Sequence, residues 1–556
     1  MEKTEIYKRI GAEMFNQTEM TNFKITKKIF YQFLIPVFVA VIFELIYKEF
    51  EVSTVYNFLE NSLFSILLVS PVYFIVNRKI QLGYTSLTFL LFCFAIYFET
   101  VYYYFFEAYL SASSLFVVLD SNSSEAAEFL NFYVDHKVII FSVLMLVVIA
   151  TSLIRFKIIL TPFNKSSTRT RVKVSIYMLV ILAFLKFSGL IVYNLAYLIL
   201  KSSKEYTVES NKLGAYKTNK TGNFTNVSRP DNLEKEVYVM ILGESTTRSH
   251  FSLYDYYRPT TPKLNSLKEE LSIYNDVISP HAHSIASITK ILTLGNYEYP
   301  DKIGDGSIIQ LANKANFETV WLSNQRPIGI YESLVTKIAL SSEKSKFLTT
   351  TFGVHNKVKD AELLPELETI LSDDSSSKKF IIIHLMGTHV SYANRYPDTF
   401  NKFKDTPLSN YKSDEISKII NHYDNAVLYT DFVVSEIIQK IKALNTKSFV
   451  LYMSDHGEEL FKDHNMAGHN EDVGTKDMYD VPFLLWQSAT YKKQKQLTVD
   501  ENRSYMLDDL FHGLADLLDI SAHEVEPERS IFNDSFKSRK RIILESSEYD
   551  TYFNLD

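Results

Sequence analysis

Five long apolar segments in the first 200 residues constrain the fold more than any other feature of this 556-residue chain. A helix that crosses a bilayer needs about 20 mostly apolar residues. One such segment could be a buried helix of a soluble core, but five in succession indicate an all-α transmembrane bundle. The predicted spans are Phe30–Tyr47, Leu63–Val76, Leu87–Phe106, Val138–Leu153 and Val174–Leu200.

The charges of the loops between these segments alternate in sign. The N-terminal arm, the turn at Arg78 and Lys79 and the loop 155–173 are basic, whereas the loops 48–60 and 107–135 are net acidic. Basic loops stay on the cytoplasmic side of a membrane. The N-terminus is therefore expected inside and everything after Leu200 outside. No small-residue cleavage site follows the first span, so we expect it to remain as a membrane helix.

Composition excludes several classes of protein. A net charge of −7 argues against a nucleic-acid binder, and a hydrophobic content of 46% excludes a disordered chain. The single cysteine, Cys93, can form neither an intramolecular disulfide nor a cysteine-based zinc site. Any metal is therefore expected on histidine, carboxylate or hydroxyl ligands.

The pattern changes after the last apolar segment. Residues 201–235 are rich in Lys, Ser, Thr and Asn, and are expected to form a polar linker with little core. From residue 236 to 556, short apolar runs alternate with amphipathic stretches such as Ile416–Leu444, which indicates an α/β domain with a mainly parallel sheet. The predicted strands are Val237–Leu242, Ser272–Val277, Thr319–Leu322, Phe380–Leu385, Phe449–Met453 and Pro482–Trp486.

Residues that bind metals follow several of these strands. In parallel sheets the chemistry lies at the carboxyl ends of the strands, and a zinc ion accepts nitrogen and oxygen ligands. Glu244 could instead cap a helix and Asp455-His456 could form a turn, but their joint occurrence favours a metal site. His281 and His283 are weaker candidates, because either could be exposed or hydrogen-bonded. The polar residues after the strands are Glu244, His281, His283, Ser284, His384, His389, Asp455 and His456, and a later loop holds His464 and His469.

The stretch Val239–Pro262, VMILGESTTRSHFSLYDYYRPTTP, resembles the opening motif of the bacterial phosphoethanolamine transferases. These are membrane-anchored members of the alkaline phosphatase/sulfatase superfamily, and the five-span anchor matches them too. The further matches, in order, are SPHAHSIASITKILT (Ser279–Thr293), VWLSNQ (Val320–Gln325), HLMGTHVSYANRYP (His384–Pro397), YDNAVLYTD (Tyr423–Asp431) and SDHGEEL (Ser454–Leu460).

The resemblance implies a sulfatase-like fold and a zinc-dependent transfer of phosphoethanolamine. The donor would be phosphatidylethanolamine and the acceptor lipopolysaccharide or another surface glycan, with a covalent Ser/Thr intermediate. It also implies a multi-pass protein of the bacterial inner membrane whose catalytic domain lies in the periplasm. The lipid A-modifying branch of the family carries periplasmic disulfides that this chain cannot form, which favours core sugars or other glycans as acceptor.

The resemblance also assigns roles to individual residues. Glu244, Asp455 and His456 match the zinc ligands, and Ser284 matches both the nucleophile and the hydroxyl ligand of the same ion. Ser stands here where Thr is usual, so Ser287 and Thr289 remain alternative nucleophiles. The residues expected to contact the substrate, or in the case of the histidines a second zinc, are His389, His469 and Asn324 of the SNQ motif.

Three other functions remain open at this point. A phosphoglycerol transferase of the lipoteichoic acid synthase type would share the anchor, the fold and the zinc chemistry. A sulfatase-type hydrolase would need a Cys/Ser-x-Pro-x-Arg motif, which the sequence around Ser284 lacks. A membrane protein that kept the fold only for binding would have no reason to keep the acid, Asp-His and hydroxyl positions together.

Overall fold

The computed structural model describes residues 2–48, 50–106, 109–110, 115, 123–160, 166–230, 234–325, 334–348, 358–544 and 546–555. The chain divides into two compact units. The first comprises Met1–Leu115 and Tyr133–Ser203, and the second comprises Phe116–Phe132 and Lys204–Asp556.

Helices are the regular secondary structure of the described residues in the N-terminal region. Asp135 caps one of these helices by accepting hydrogen bonds from the backbone amides of Lys137 and Val138. The helices are α1 (Glu2–Tyr47), α2 (Val52–Val69), α3 (Arg78–Phe106), α4 (Ser123–Tyr133), α5 (His136–Ile159), α6 (Thr168–Phe187) and α7 (Leu195–Lys212).

Within the described residues, four segments are long and apolar enough to cross a membrane. They are Glu19–Tyr47, Val52–Phe74, Arg78–Phe106 and His136–Ile159, and they overlap the first four predicted spans.

The fifth predicted span, Val174–Leu200, is not a single helix. Helix α6 ends at Phe187, and Gly189 then adopts a left-handed conformation with φ of 80° before α7 begins. Glycine takes this conformation without steric cost, so the chain turns here. Helix α6 has 20 residues, which is about 30 Å and matches the hydrocarbon core of a bilayer. Basic residues near both of its ends make it less apolar than the other four segments.

The second unit is built around a seven-stranded sheet with the strand order β2-β10-β7-β1-β6-β4-β5. Strands β5, β4, β6, β1 and β7 pair in parallel, and β10 is antiparallel to both of its neighbours. The mainly parallel sheet predicted from the sequence is therefore confirmed. The strands are β1 (Glu236–Gly243), β2 (Leu271–Ile273), β3 (Val277–Ile278), β4 (Glu318–Ser323), β5 (Lys344–Phe347), β6 (Lys378–His384), β7 (Lys447–Ser454), β8 (Glu459–Leu460), β9 (Ala467–Gly468), β10 (Phe483–Gln487), β11 (Tyr505–Met506), β12 (Ile542–Ile543) and β13 (Ser547–Glu548).

Helices cover both faces of this sheet. The side chains of β1 alternate between two apolar clusters: Met240 packs in the cluster of α9, α10, α11 and α16, and Ile241 in the cluster of α8, α12 and α13. Because both faces are buried, the central strands carry continuous apolar runs, such as Val237–Leu242 in β1. The helices are α8 (Pro262–Ser266), α9 (Ser284–Leu292), α10 (Ile308–Lys314), α11 (Leu334–Ala339), α12 (Leu363–Ser372), α13 (Asp414–Ala443), α14 (Lys476–Tyr479), α15 (Ala489–Gln494), α16 (Leu510–Leu517) and α17 (Tyr549–Tyr552).

Two local expectations were wrong. The predicted strand Ser272–Val277 is two short strands, β2 and β3, which belong to different sheets. The polar segment 201–235 is not a linker with little core, because Leu213, Tyr216 and Phe224 are buried in the main apolar cluster of the second unit. A few apolar side chains in a polar segment are enough to dock it when the domain offers a hydrophobic surface.

We predict that Phe224→Ala destabilises the second unit by about 3–5 kcal/mol, because it leaves a cavity in the core. Phe224 is 1% exposed and stacks on Phe511 at 5.7 Å between ring centroids. The two tryptophans of the chain, Trp321 and Trp486, both lie in the sheet of this unit, so tryptophan fluorescence in a denaturant titration reports its unfolding. Leu408→Ala, at a side chain that is 75% exposed, is the control. Equal unfolding midpoints for both variants would contradict the burial of this segment.

Candidate metal centre

The register of the sheet places three loops side by side at the carboxyl ends of its central strands. Strand β1 lies between β6 and β7, with Leu242 opposite His384 and Gly243 opposite Ser454. Glu244 directly follows Gly243 at the end of β1, and Asp455 directly follows Ser454 at the end of β7. Parallel pairing of the two strands therefore makes Glu244 and Asp455 neighbours.

Glu244, Asp455 and His456 form a buried cluster with one potential ligand atom each, all within 4.8 Å of one another. Nε2 of His456 lies 3.4 Å from Oε1 of Glu244 and 3.6 Å from Oδ2 of Asp455. Two atoms that bind one tetrahedral zinc ion at its usual bond lengths are about 3.3 Å apart. The observed separations therefore match those of zinc ligands.

Ser284 brings a hydroxyl group to the same cluster. It is the first residue of α9, and its Oγ donates a hydrogen bond of 2.9 Å to Oε1 of Glu244. The same oxygen lies 3.2 Å from Nε2 of His456. Oγ of Ser284 thus lies beside the potential ligand atoms of Glu244 and His456.

The two alternative nucleophiles face elsewhere. Oγ of Ser287 donates to the backbone oxygen of Asp455 at 2.6 Å, and Oγ1 of Thr289 donates to the backbone oxygen of Ile285 at 2.7 Å. Of the three candidate hydroxyls, Ser284 is the one with hydrogen bonds to the side chains of the cluster.

The remaining hydrogen bonds orient the ligands. Oδ1 of Asp455 accepts from the backbone amides of Ser245 at 3.0 Å and His456 at 2.8 Å. Its Oδ2 is buried and has no hydrogen-bond partner among the described residues. Nδ1 of His456 lies 2.9 Å from the backbone oxygen of Gly457, so Nδ1 carries a proton and Nε2 is the ring nitrogen that faces the cluster.

The electrostatics also favour a bound cation. Burial raises the pKa of Asp455 to about 7, and the negative charge of Glu244 adds to this effect. Burial acts in the same direction on Glu244, but the hydrogen bond and positive charge of His456 outweigh it and hold the pKa of Glu244 well below its usual range. Two carboxylates this close repel each other in a buried site, and a divalent cation removes the repulsion. The orphaned Oδ2 and this donor set fit zinc.

The two histidines predicted to contact the substrate lie beside the cluster. The ring of His469 is 4.2 Å from that of His456 between centroids, and its Nδ1 is 3.0 Å from Oε1 of Glu458. His389 is within electrostatic range of Glu244, and burial lowers the pKa of His389 to about 3. His389 is therefore neutral at neutral pH.

The sequence predicts that Asn324 of the SNQ motif contacts the substrate, but in the structure the adjacent Gln325 is the residue that contacts the cluster. Nε2 of Gln325 donates to Oε2 of Glu244 at 2.9 Å. The side-chain amide of Asn324 donates to Oδ1 of Asp360 at 2.8 Å, and Asp360 in turn accepts from the backbone amide of Gly387. Asn324 thus supports the loop after β6, and its contact with substrate stays a prediction. Gln325 belongs to the same SNQ motif, so the motif already pointed to it as a candidate site residue.

The chain belongs to the sulfatase family, whose family model, described as Sulfatase, matches residues 236–520. Among curated proteins it is 34% identical over 321 residues to phosphoethanolamine transferase EptC of Escherichia coli strain K12, covering 56% of this chain and 55% of that protein. It is 33% identical over 316 residues to phosphoethanolamine transferase CptA of Salmonella typhimurium, covering 55% and 54%. The chain thus spans about half the length of the curated relatives it matches.

Solved structures cover more of the architecture. The zinc complex of the C-terminal periplasmic domain of EptC from Escherichia coli is 31% identical with a TM-score of 0.56, covering 59% of this chain and 97% of that domain. The integral membrane lipooligosaccharide phosphoethanolamine transferase A of Neisseria meningitidis has a TM-score of 0.65 at 18% identity, covering 91% of this chain and 97% of that protein. At that identity the second likeness shows the fold alone.

We predict that Gly387→Ala lowers zinc affinity by at least about tenfold, as changes behind a metal ligand commonly do. Gly387 has a φ of 53°, and a Cβ there would lie 2.7 Å from the backbone oxygen and 2.9 Å from the backbone nitrogen of Glu244. The added methyl group would have to displace Glu244.

Zinc affinity, measured by competition with a chelating dye, checks this expectation. Gly83→Ala is the matched control, because a Cβ at Gly83 meets nothing within 4 Å. An affinity for zinc that is the same in both variants and in the unchanged chain would show that Glu244 is not a ligand.

Proposed function

We propose that this protein is a membrane-bound, zinc-dependent transferase that moves phosphoethanolamine from phosphatidylethanolamine to lipopolysaccharide or another surface glycan. The observation that carries the proposal is the position of Ser284, whose hydroxyl lies 2.9 Å from Glu244 and 3.2 Å from His456 in a cluster that fits zinc. The names of the relatives, phosphoethanolamine transferases of enteric bacteria, support the choice of the transferred group.

The reaction has two displacements at phosphorus. In the first, Oγ of Ser284 attacks the phosphorus of the lipid, the bond from phosphorus to the diacylglycerol oxygen breaks, and the serine proton ends on that oxygen. Glu244, Asp455 and His456 would hold the zinc ion, which supplies Lewis acidity when bound. In the second, an acceptor oxygen attacks the same phosphorus, the bond to Oγ breaks, and Ser284 regains a proton from the acceptor.

The neighbouring side chains have supporting roles. His389 and His469, which lie beside the cluster, would contact the phosphate oxygens. Oε1 of Glu458 holds Nδ1 of His469 at 3.0 Å, and Oε2 of Glu458 accepts from the hydroxyl of Tyr392 at 2.5 Å. This chain of hydrogen bonds fixes the ring, so that Nε2 is the nitrogen left for the substrate.

The membrane helices give the proposal a physical context. A lipid donor is confined to the bilayer, and a chain with four segments able to span a membrane keeps its catalytic unit at that surface. With helix α6 as a fifth crossing, the alternation of loop charge favours a position of this unit outside the cytoplasm, which in a bacterium with lipopolysaccharide is the periplasm. Core sugars or other glycans are the proposed acceptors, because the chain has one cysteine and cannot build the disulfides of the lipid A branch.

We predict that Ser284→Ala lowers transfer by about 10³-fold or more and abolishes covalent labelling of the protein, because it removes the attacking oxygen. The full chain in detergent would be mixed with phosphatidylethanolamine labelled in its headgroup, and diacylglycerol release and protein-bound label followed. A zinc chelator should stop both. Thr289→Ala is the matched control, since its hydroxyl is bonded within its own helix and its loss should leave the rate within a few-fold.

The same assay separates the alternatives. A Ser284→Ala protein that transfers at the unchanged rate would overturn the nucleophile. Diacylglycerol release from phosphatidylglycerol and not from phosphatidylethanolamine would replace phosphoethanolamine by phosphoglycerol as the transferred group.

A further inference from the structure

A second cluster of metal-ligand side chains lies next to the nucleophile. His281, His283 and Glu471 each offer a ligand atom, and these atoms lie within 4.8 Å of one another. His281 and His283 belong to the turn that leads into α9, and His283 immediately precedes Ser284. Glu471 lies in the loop after β9, two residues beyond His469. The cluster shares no residue with the Glu244 centre, and no step proposed above uses it.

The geometry of this cluster resembles that of zinc ligands. Nδ1 of His281 lies 3.2 Å from Oε1 of Glu471, close to the roughly 3.3 Å that separates two atoms on one tetrahedral zinc ion. Oε2 of Glu471 accepts a hydrogen bond of 2.6 Å from the backbone amide of Ala282, which fixes the carboxylate. Hydrogen bonds of this kind orient the carboxylate ligands of metal sites.

His283 supplies an independent observation. It is 5% exposed, and its Nδ1 is buried without a hydrogen-bond partner among the described residues. A buried polar atom that is left unpaired is unfavourable, so such atoms in a folded protein require an explanation. A lone pair beside a histidine and a carboxylate is explained by an ion bound between them.

Lys290 also contacts the cluster, and its removal should strengthen zinc binding, whereas removal of a ligand should weaken it. Nζ of Lys290 lies 2.9 Å from Nε2 of His281 and 3.3 Å from the centroid of the Tyr297 ring. A chain of hydrogen bonds from Lys290 through His281 to Glu471 gives His281 and Glu471 partners without a metal ion. It leaves Nδ1 of His283 without a partner among the described residues. The positive charge of Lys290 opposes a cation at this place, so it should weaken binding without being a ligand.

We propose that His281, His283 and Glu471 bind a second zinc ion, separate from the ion of the Glu244 centre. Two histidines and one glutamate leave the fourth position of a tetrahedral zinc ion to water. The ion neutralises Glu471 and ties the turn before α9 to the loop after β9. It thereby positions Ser284, the first residue of that helix.

The test counts zinc ions and does not depend on transfer activity. The full chain in detergent would be stripped with a chelator, titrated with zinc alone, desalted and analysed for zinc per chain by mass spectrometry. We expect two tight equivalents for the unchanged protein and one for Glu471→Gln, which keeps the size of the side chain. His283→Asn should lose the same equivalent, whereas the exposed control His523→Asn should keep both.

Two further variants make the assignment specific. Lys290→Met should tighten the second equivalent by about tenfold and leave the first unchanged, because it removes the opposing charge. His469→Asn should retain both equivalents. A single equivalent in the unchanged protein, or a second one that survives Glu471→Gln and is lost in His469→Asn, would overturn the proposal. Thermal unfolding of the stripped variants separates loss of a ligand from loss of the fold.

Discussion

Two carboxylates, Glu244 and Asp455, are buried side by side at the ends of paired strands, and the arrangement around them depends on how their charge is balanced. Parallel pairing of β1 with β7 forces this proximity, since Gly243 lies opposite Ser454. Each carboxylate is surrounded by donors: Gln325 and Ser284 bond to Glu244, and backbone amides bond to Asp455. These bonds offset part of the cost of burial, and the buried Oδ2 of Asp455 is left for a cation.

The loops that carry the ligands are held by packing far larger than the site. The hydroxyl of Tyr423, on the long helix α13, accepts from the backbone amide of Thr247 at 2.9 Å and donates to the backbone oxygen of Ser245 at 3.0 Å. On the neighbouring loop, Asp360 accepts from the amides of Met386 and Gly387. The helical layer thus fixes the backbone next to Glu244, which holds the potential ligand atoms in position.

Much of the site was predictable because its residues follow strands that are themselves easy to recognise. Continuous apolar runs predicted the central strands, and the polar residues after them included Glu244, Asp455 and His456. The choice among neighbouring side chains was not predictable in the same way. Asn324 and Gln325 are adjacent, yet the chain turns so that the first bonds to Asp360 and the second to Glu244. A similar local rotation separates Ser284 from Ser287 and Thr289 within one short helix.

The sequence by itself determined the apolar helices of the first unit, the parallel sheet of the second and the set of residues at the strand ends. These features depend on periodicity and residue type, which are local properties of the chain. Tertiary structure alone decided that segment 201–235 joins the core, that the fifth apolar segment turns at Gly189, and that His281 and His283 meet Glu471. Each of these depends on contacts between residues distant in sequence, or on the backbone conformation those contacts impose, and neither is encoded in a local pattern.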